Sequence, residues 1–221
     1  MSQTTAPSPR TTVKRLPIRA SYDREAIRSI LDEALICHLG FASGGQPYVI
    51  PTIHARRDDH LLIHGSQASR MLRTVRTGVD VCVTVTLLDG LVLARSAFHH
   101  SMNYRSVVIL GRGLEVIGHD EKLDAMRTLV EHVVPGRWND ARKPNELELK
   151  QTMILRLPIS EASAKIRTGG PSDDEDDYSL PIWAGVLPLT LTPLAPIADA
   201  RLGAGTVTPD YVRRYVRPLA T

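Results

Sequence analysis

Cysteine is nearly absent: Cys37 and Cys82 are the only two in 221 residues. Both sit in apolar, strand-like runs, which excludes a disulfide framework. Aromatic residues make up 5% of the chain, with two Phe and two Trp. No window approaches the roughly 18 consecutive apolar residues that a membrane-spanning helix requires. The common sequence signatures are missing too. There is no G-x-G-x-x-G for a dinucleotide, no P-loop, no G-x-S-x-G elbow and no H-E-x-x-H zinc helix. The polar opening MSQTTAPSPRTTVKRL lacks the apolar stretch of a secretory signal, so a cytoplasmic protein is expected. What is present is a chain 43% hydrophobic and 23% charged, enough to bury a core and to exclude wholesale disorder.

The net charge of +3 raises the question of nucleic acid, and its distribution answers it. Residues 1–20 and 201–221 together carry eight bases and one acid, leaving residues 21–200 at −4. A basic body that tracks phosphates is therefore not expected, and neither nucleic acid nor membrane is a predicted partner.

Residues 1–20 are rich in Thr, Ser and Pro and read as a disordered leader. Ser21 is placed to cap a helix with Ile27, Ile30, Leu31 and Ala34 at helical spacing. From Leu35 the period changes to that of strands: LICHLGF, a Ser43-Gly44-Gly45 turn, QPYVIPTIHAR and HLLIHG. Ser66 opens a short helix that Gly78 ends. VDVCVTVTLL reads as a buried strand, and Asp89-Gly90 as a hairpin turn returning through LVLARSAF. A strand through residues 104–117, a helix from Asp120, a capping box Asn145-x-x-Glu148 and the strand TMILRLPI follow. Beyond residue 160 the pattern thins into an acidic run (residues 173–177) and a Pro- and Ala-rich tail from 191 to 221. Strands in hairpin order without βαβ alternation predict a mainly β, α+β fold, with an antiparallel barrel and peripheral helices over residues 21–190.

The stretch most able to carry chemistry is His64-Gly65-Ser66-Gln67-Ala68-Ser69-Arg70. A strand ends at an imidazole, and a serine-rich turn leads into a helix. Hydroxyls of Ser66 and Ser69 and the guanidinium of Arg70 suit a phosphate. The same residues also read as a plain helix cap beside an exposed arginine. Arg105 and Ser106 open a second polar stretch, either a further phosphate cation with a ring contact or a hydrophilic strand entrance. His54 and His64 are spaced to face each other across a hairpin. No Cys-x-x-Cys or His-x-x-x-His accompanies them, so no metal site is expected. Trp183 reads as core or interface, and the acidic run as a solvated loop.

With these residues in hand, the chain resembles the pyridoxamine 5′-phosphate oxidase-related flavin-binding proteins, nearest to their nitroimidazole-reductase-type branch. The likeness runs from about residue 21 to about 190. Its most specific parts are PYVIPTIHA at 47–55, LLIHGSQASRML at 61–72 and NYRSVVILGRG at 103–113. The resemblance implies a six-stranded antiparallel split β-barrel that binds FMN, working as a homodimer with flavin at the interface. It implies that Val49, Ile50, Pro51, Thr52, Ile53 and His54 pass the flavin ring and offer backbone hydrogen bonds. His64 and Gly65 would lie beside the cofactor, with His64 as the catalytic residue that protonates or orients an acceptor. Ser69 and Arg70 match the family's phosphate-binding pair, with Ser66 in the same turn, and Arg105 and Ser106 fall near the ring. Trp183 corresponds to a late family tryptophan.

Two departures bear on activity. Met71 stands where the oxidase has a lysine, and the oxidase's C-terminal substrate arginine has no counterpart. The resemblance therefore implies flavin redox chemistry on another small molecule, with a nicotinamide donor, rather than pyridoxamine 5′-phosphate oxidation. Two alternatives from other classes are a non-catalytic flavin-binding or sensing protein and a relative that takes deazaflavin or haem.

Overall fold

The computed structural model describes residues 5–217. In chain order its elements are β1 (Ala20–Ser21), α1 (Arg24–Glu33), β2 (Ile36–Ser43), β3 (Gln46–Arg57), β4 (His60–Ser66) and α2 (Arg70–Arg76). There follow β5 (Asp80–Leu93), β6 (Ser101–Arg112), β7 (Leu114–Glu115), α3 (His119–Val133), α4 (Arg137–Asp140) and α5 (Glu146–Gln151). The last are β8 (Thr152–Pro158), β9 (Ala162–Arg167), β10 (Gly185–Pro188) and α6 (Asp210–Arg213). All strand pairs are antiparallel, in the order β1-β9-β6-β5-β2-β3-β4-β8-β7, with β10 on β5.

The sheet is open, yet it curls around one core. Leu39 of β2, Leu61 of β4, Val83 of β5, Ile109 of β6, Leu155 of β8 and Ala164 of β9 all pack in the same buried cluster. Alternation along each strand sends these residues inward, and α1 closes one end with Ile27, Ile30 and Leu31. A second, smaller core lies on the outer face of β3, β4 and β8. There Ala55, Leu62 and Ile154 meet Ala125 and Leu129 of α3. This is the expected α+β split-barrel arrangement, built from more strands than the sequence suggested.

Several local expectations are corrected. Asp23, not Ser21, caps α1, its carboxylate accepting from the Ala26 N–H at 2.9 Å. Asp89-Gly90 is not a hairpin: β5 runs straight through it with a bulge between Leu88 and Gly90. The bulge frees the Asp89 carboxylate to bind Arg105, and Gly90 lets β10 approach, since a Cβ there would lie 3.0 Å from the Leu187 carbonyl oxygen. Beyond residue 160 the chain is not structureless: β9 completes the core and β10 pairs with β5. The leader is also corrected over its described part. Thr11 is buried, and Tyr22 accepts from the Val13 N–H at 2.8 Å, so these residues lie against the body. The acidic run forms a 3-10 turn over Glu175–Ser179, anchored just before it by Asp173, which pairs with Arg95 at 3.0 Å.

Candidate functional site

β3 is paired unevenly. Along residues 46–53 its partner is β2, and β4 joins only from His54 to Arg57. Pro47 and Pro51 lack N–H groups, so they must sit at positions whose backbone faces away from β2. Val49 and Ile53 share that parity, and their N–H groups therefore point to the open edge, with the carbonyls of all four. The opposite parity, Tyr48, Ile50 and Thr52, points side chains toward the core, where Tyr48 and Ile50 pack. The sequence thus builds a stretch of backbone without a strand partner between β3 and the end of β4, which is the split in the barrel; only side chains of its own strand meet it, Gln46 at the Pro47 carbonyl and Thr52 at the Ile53 carbonyl.

The far wall of the split begins with Gly65, where a Cβ would lie 3.0 Å from the Leu72 side chain. The glycine lets α2 fold back tightly after β4. The helix begins at Arg70 rather than Ser66. Ser69 is its cap, its hydroxyl accepting from the Leu72 N–H at 3.4 Å, while the Ser66 hydroxyl accepts from Ala68 at 3.1 Å. The Arg70 guanidinium lies 4.3 Å from the centre of the Tyr48 ring and so spans from α2 to β3. With Arg73, Thr74, Thr77 and Ser43 it lines a cleft of about 450 Å³. Among the described residues neither Arg70 nor Arg73 has a carboxylate partner, so two positive charges line the cleft with the hydroxyls of Ser43 and Thr74, while the Thr77 hydroxyl donates to the Thr74 carbonyl at 2.7 Å. Sequence reasoning found Arg70 but missed Arg73, Thr74 and Thr77. Their i, i+3, i+4, i+7 spacing, on one helix face, was the available signal.

His64 stands at the other end of the split. It is opposite Ile154 of β8 and shares the outer parity of Leu62, so its ring faces α3. There it lines a cleft of about 270 Å³ with Ile53, Met126, Leu129, Val130, Val133, Val134 and Arg137. Nδ1 is buried with no hydrogen-bond partner among the described residues. Desolvation lowers the pKa of the ring below the ordinary histidine value, which keeps it neutral at pH 7. From Tyr48 to Ile53 the strand covers about 17 Å, room for a tricyclic ring with a phosphate-ended side chain. A larger cleft of about 900 Å³ lies among residues 5–23, but neither a cation nor an imidazole lines it.

Other expected residues lie elsewhere. His54 is fully buried and its Nε2–H donates to the Leu31 carbonyl at 3.0 Å; its strand partner is Ile63, so it does not face His64. Arg105 is neutralised by Glu33 and Asp89, to which it donates at 2.8 Å each, and has no charge to spare for a phosphate. Its pKa is raised by those two carboxylates. The Ser106 hydroxyl donates to the Lys165 carbonyl at 3.2 Å, within the sheet. Trp183 is largely exposed and packs on Gly185 beside β10. Among the described residues no group of three or more His, Cys, Asp or Glu is gathered to hold a metal ion. No described helix is long and apolar enough to cross a membrane.

The pattern of the pyridoxamine 5′-phosphate oxidase family matches residues 23–166, the span from α1 to β9 that builds this split. The chain belongs to that family. Among solved structures of this oxidase-related fold, it is similar to the flavocytochrome Anf3 from Azotobacter vinelandii. The two are 41% identical over 95% of this chain and 97% of that one, with a TM-score of 0.90. It is also similar to an FAD- and haem-binding protein from Mycobacterium smegmatis, 35% identical over 92% of this chain and 100% of that one, TM-score 0.87. A candidate 5-nitroimidazole antibiotic resistance protein from Bacteroides thetaiotaomicron shares the fold. It is 23% identical over 66% of this chain and 86% of that one, TM-score 0.55. No curated protein matches the sequence.

Proposed function

We propose that this protein is a flavin-binding redox protein that uses haem as a second group and passes electrons to a small acceptor. The observation that carries the flavin reading is the split itself. An unpaired strand edge lies at one side, and two cations without carboxylate partners lie at the end where Arg70 meets Tyr48. A ring with polar edges would be read by the Val49 and Ile53 N–H groups and the adjacent carbonyls. The phosphate would be held by Arg70, Arg73 and the hydroxyls of Ser43 and Thr74. A bound flavin supplies hydride or single-electron transfer, and the chain supplies position, charge and exclusion of water. Haem enters the reading because the 41% and 35% identical structures are a flavocytochrome and an FAD- and haem-binding protein. The nucleotide is FMN, as the sequence motifs suggest, or FAD, as in the Mycobacterium smegmatis structure; a nicotinamide donor and a homodimer belong to the same proposal.

The test is a spectrum of the purified full chain with chromatography of the extracted nucleotide. Oxidised-flavin bands are expected, together with a Soret band after haemin is supplied. Arg70→Ala should weaken flavin binding by about 10- to 100-fold, the loss of one or two charge-assisted contacts. A chain that takes neither FMN nor FAD, or an Arg70→Ala variant with unchanged affinity, defeats the flavin site as drawn.

A further inference from the structure

Helix α1 ends without a basic residue in its last turn. A helix C-terminus leaves its final carbonyls unpaired and carries the negative end of the dipole. Here those carbonyls are answered from far along the chain. The Leu31 carbonyl accepts from His54, and the Ala34 carbonyl lies 2.8 Å from His132 Nε2. Arg217 donates to the Asp32 carbonyl at 2.5 Å and to the Glu33 carbonyl at 2.6 Å. The same guanidinium reaches the His132 carbonyl at the end of α3, and Tyr215 donates to the Val133 carbonyl at 2.9 Å. One side chain thus clasps the ends of two helices, and among the described residues it has no carboxylate partner. Residues 209–217 are strapped to the body in this way, after an arm whose Leu191, Leu194 and Ile197 stand exposed. The strap also touches the His64 cleft. Its Tyr211 ring packs on Gly136, where a Cβ would lie 3.6 Å away, and its hydroxyl accepts from Arg137 of the cleft at 3.1 Å.

We propose that residues 209–217 form an acid-released strap, latched by Arg217 and sensed through His132, that steadies the rim of the His64 cleft. The latch contains a conflict. His132 Nε2 stands 2.8 Å from an acceptor, the Ala34 carbonyl oxygen, and 3.0 Å from a donor, an Arg217 nitrogen. Without a proton it accepts from Arg217. With both ring nitrogens protonated it donates to Ala34 and sets a positive ring against a positive guanidinium. The surroundings do not neutralise that pair. From β3 come Arg56 and His54, whose ring centre is 5.2 Å from that of His132. From α1 comes Asp32, which favours the charged ring, but Arg56 holds its carboxylate at 2.8 Å. From α3 come Arg127, bound to Asp124, and Glu131, whose carboxylate accepts from the Gly136 and Trp138 N–H groups. The strap adds Tyr215, whose hydroxyl is spent on Val133. Desolvation first, then Arg217, hold the imidazole below the ordinary histidine value, against the pull of the Ala34 hydrogen bond. The latched state therefore binds the proton less readily than the released one, where Arg217 has left and water reaches the ring. Release is favoured as pH falls below about 6.5, by at most about tenfold per pH unit for one proton. The device belongs to the chain and needs no bound group.

The test is hydrogen exchange of the full chain, read by mass spectrometry between about pH 7.5 and 5 and corrected for the intrinsic effect of pH on the rates. β5 and β6 serve as the internal reference for global stability. The strap is read through residues 210–217, where the Arg213 and Arg214 N–H groups bond back to Pro209 and Asp210. Their exchange is expected to rise relative to the reference strands as pH falls, with Arg137–Asp140 following as Tyr211 leaves. In Arg217→Ala the strap should already be open at pH 7.5 while β5 and β6 stay protected, since Arg217 belongs to neither core. In His132→Gln, which keeps a donor for Ala34 and cannot charge, exchange over the strap should no longer depend on pH. His132→Asn is measured beside it, so that a folding failure in one variant leaves the other decisive. Strap exchange that tracks the reference strands at every pH overturns acid release. Wild-type protection in Arg217→Ala overturns the latch, and an unaltered pH response in a folded His132 variant overturns the sensor.

Discussion

At neutral pH the fully buried ring of His54 has one comfortable state, the uncharged one, with its proton given to the Leu31 carbonyl. Burial, with the Leu31 bond opposing it and the charges of His132 and Arg217 adding to it, pushes its pKa down to about 4. In the unfolded chain the same imidazole titrates near 6.5. As pH falls through that window the unfolded state gains a proton that the folded state refuses. Stability is therefore lost between about pH 6.5 and 4, at up to about 1.4 kcal/mol per pH unit from this group. His64 and His132, both lowered by desolvation, slope the same way. Urea midpoints of wild type and His54→Gln across pH 7 to 4 check this. The variant should start less stable and lose less on acidification; parallel curves would mean that His54 does not carry the slope. The same residue shows what a sequence hides. The spacing of His54 suggested a ring facing His64 across the hairpin, but the side of the strand it occupies is set by pairing with Ile63. Arg105 misled for a related reason: the carboxylates that neutralise it come from positions 33 and 89. Ser69 and Arg70 were legible because a cap and its neighbour are local.

Elements were readable where their signal was hydrophobic. β2 to β5, α3 and β8 announce themselves through alternating or helical apolar residues. β9 does not, because its buried positions are Ala162, Ser163, Ala164 and Arg167, small or polar residues that fit a crowded sheet interior. β10 is four residues long, and its partner is chosen by the bulge in β5 rather than by its own pattern. The Asp89-Gly90 pair carried a true local signal for a break in the ladder, and long-range pairing turned that break into a bulge. The close approach there makes a sharp test. Gly90→Val would place a branched side chain where even a Cβ lies 3.0 Å from Leu187 and 3.1 Å from Val186. Overpacking of this kind costs about 1–3 kcal/mol, and β10 is the cheaper side to give way. Hydrogen exchange should then rise sharply over Gly185–Pro188 while β5 and β6 stay protected. Protection of β10 equal to wild type would show that the sheet accommodates the side chain.

As a whole molecule the chain exposes more hydrocarbon in particular places than a solitary protein of this size needs. Ile36, Val49 and Ile53 share the outer face of the β2–β3 hairpin, with Val49 66% exposed. A second group lies on the extended segment after β10, where Leu191, Leu194 and Ile197 are 82%, 89% and 97% exposed. Magnitudes decide whether the first patch suffices for the proposed homodimer. Burying one fully exposed side chain of this kind recovers about 1.5–3 kcal/mol, so six, three from each partner and each about half exposed, recover at most about 9. Association costs on the order of 4–15 kcal/mol and a stable interface covers roughly 800 Å² per partner. The hairpin face alone is marginal, which requires the arm to take part. Light scattering on the purified chain should give twice the 24.4 kDa protomer mass. Replacing Leu191, Leu194 and Ile197 together by Ser should shift it toward monomer with unchanged circular dichroism, since none of the three contributes to either core. Ile36→Asp should do the same from the other patch. A wild-type chain that is monomeric at micromolar concentration removes the homodimer, and a triple variant that stays dimeric removes the arm from it.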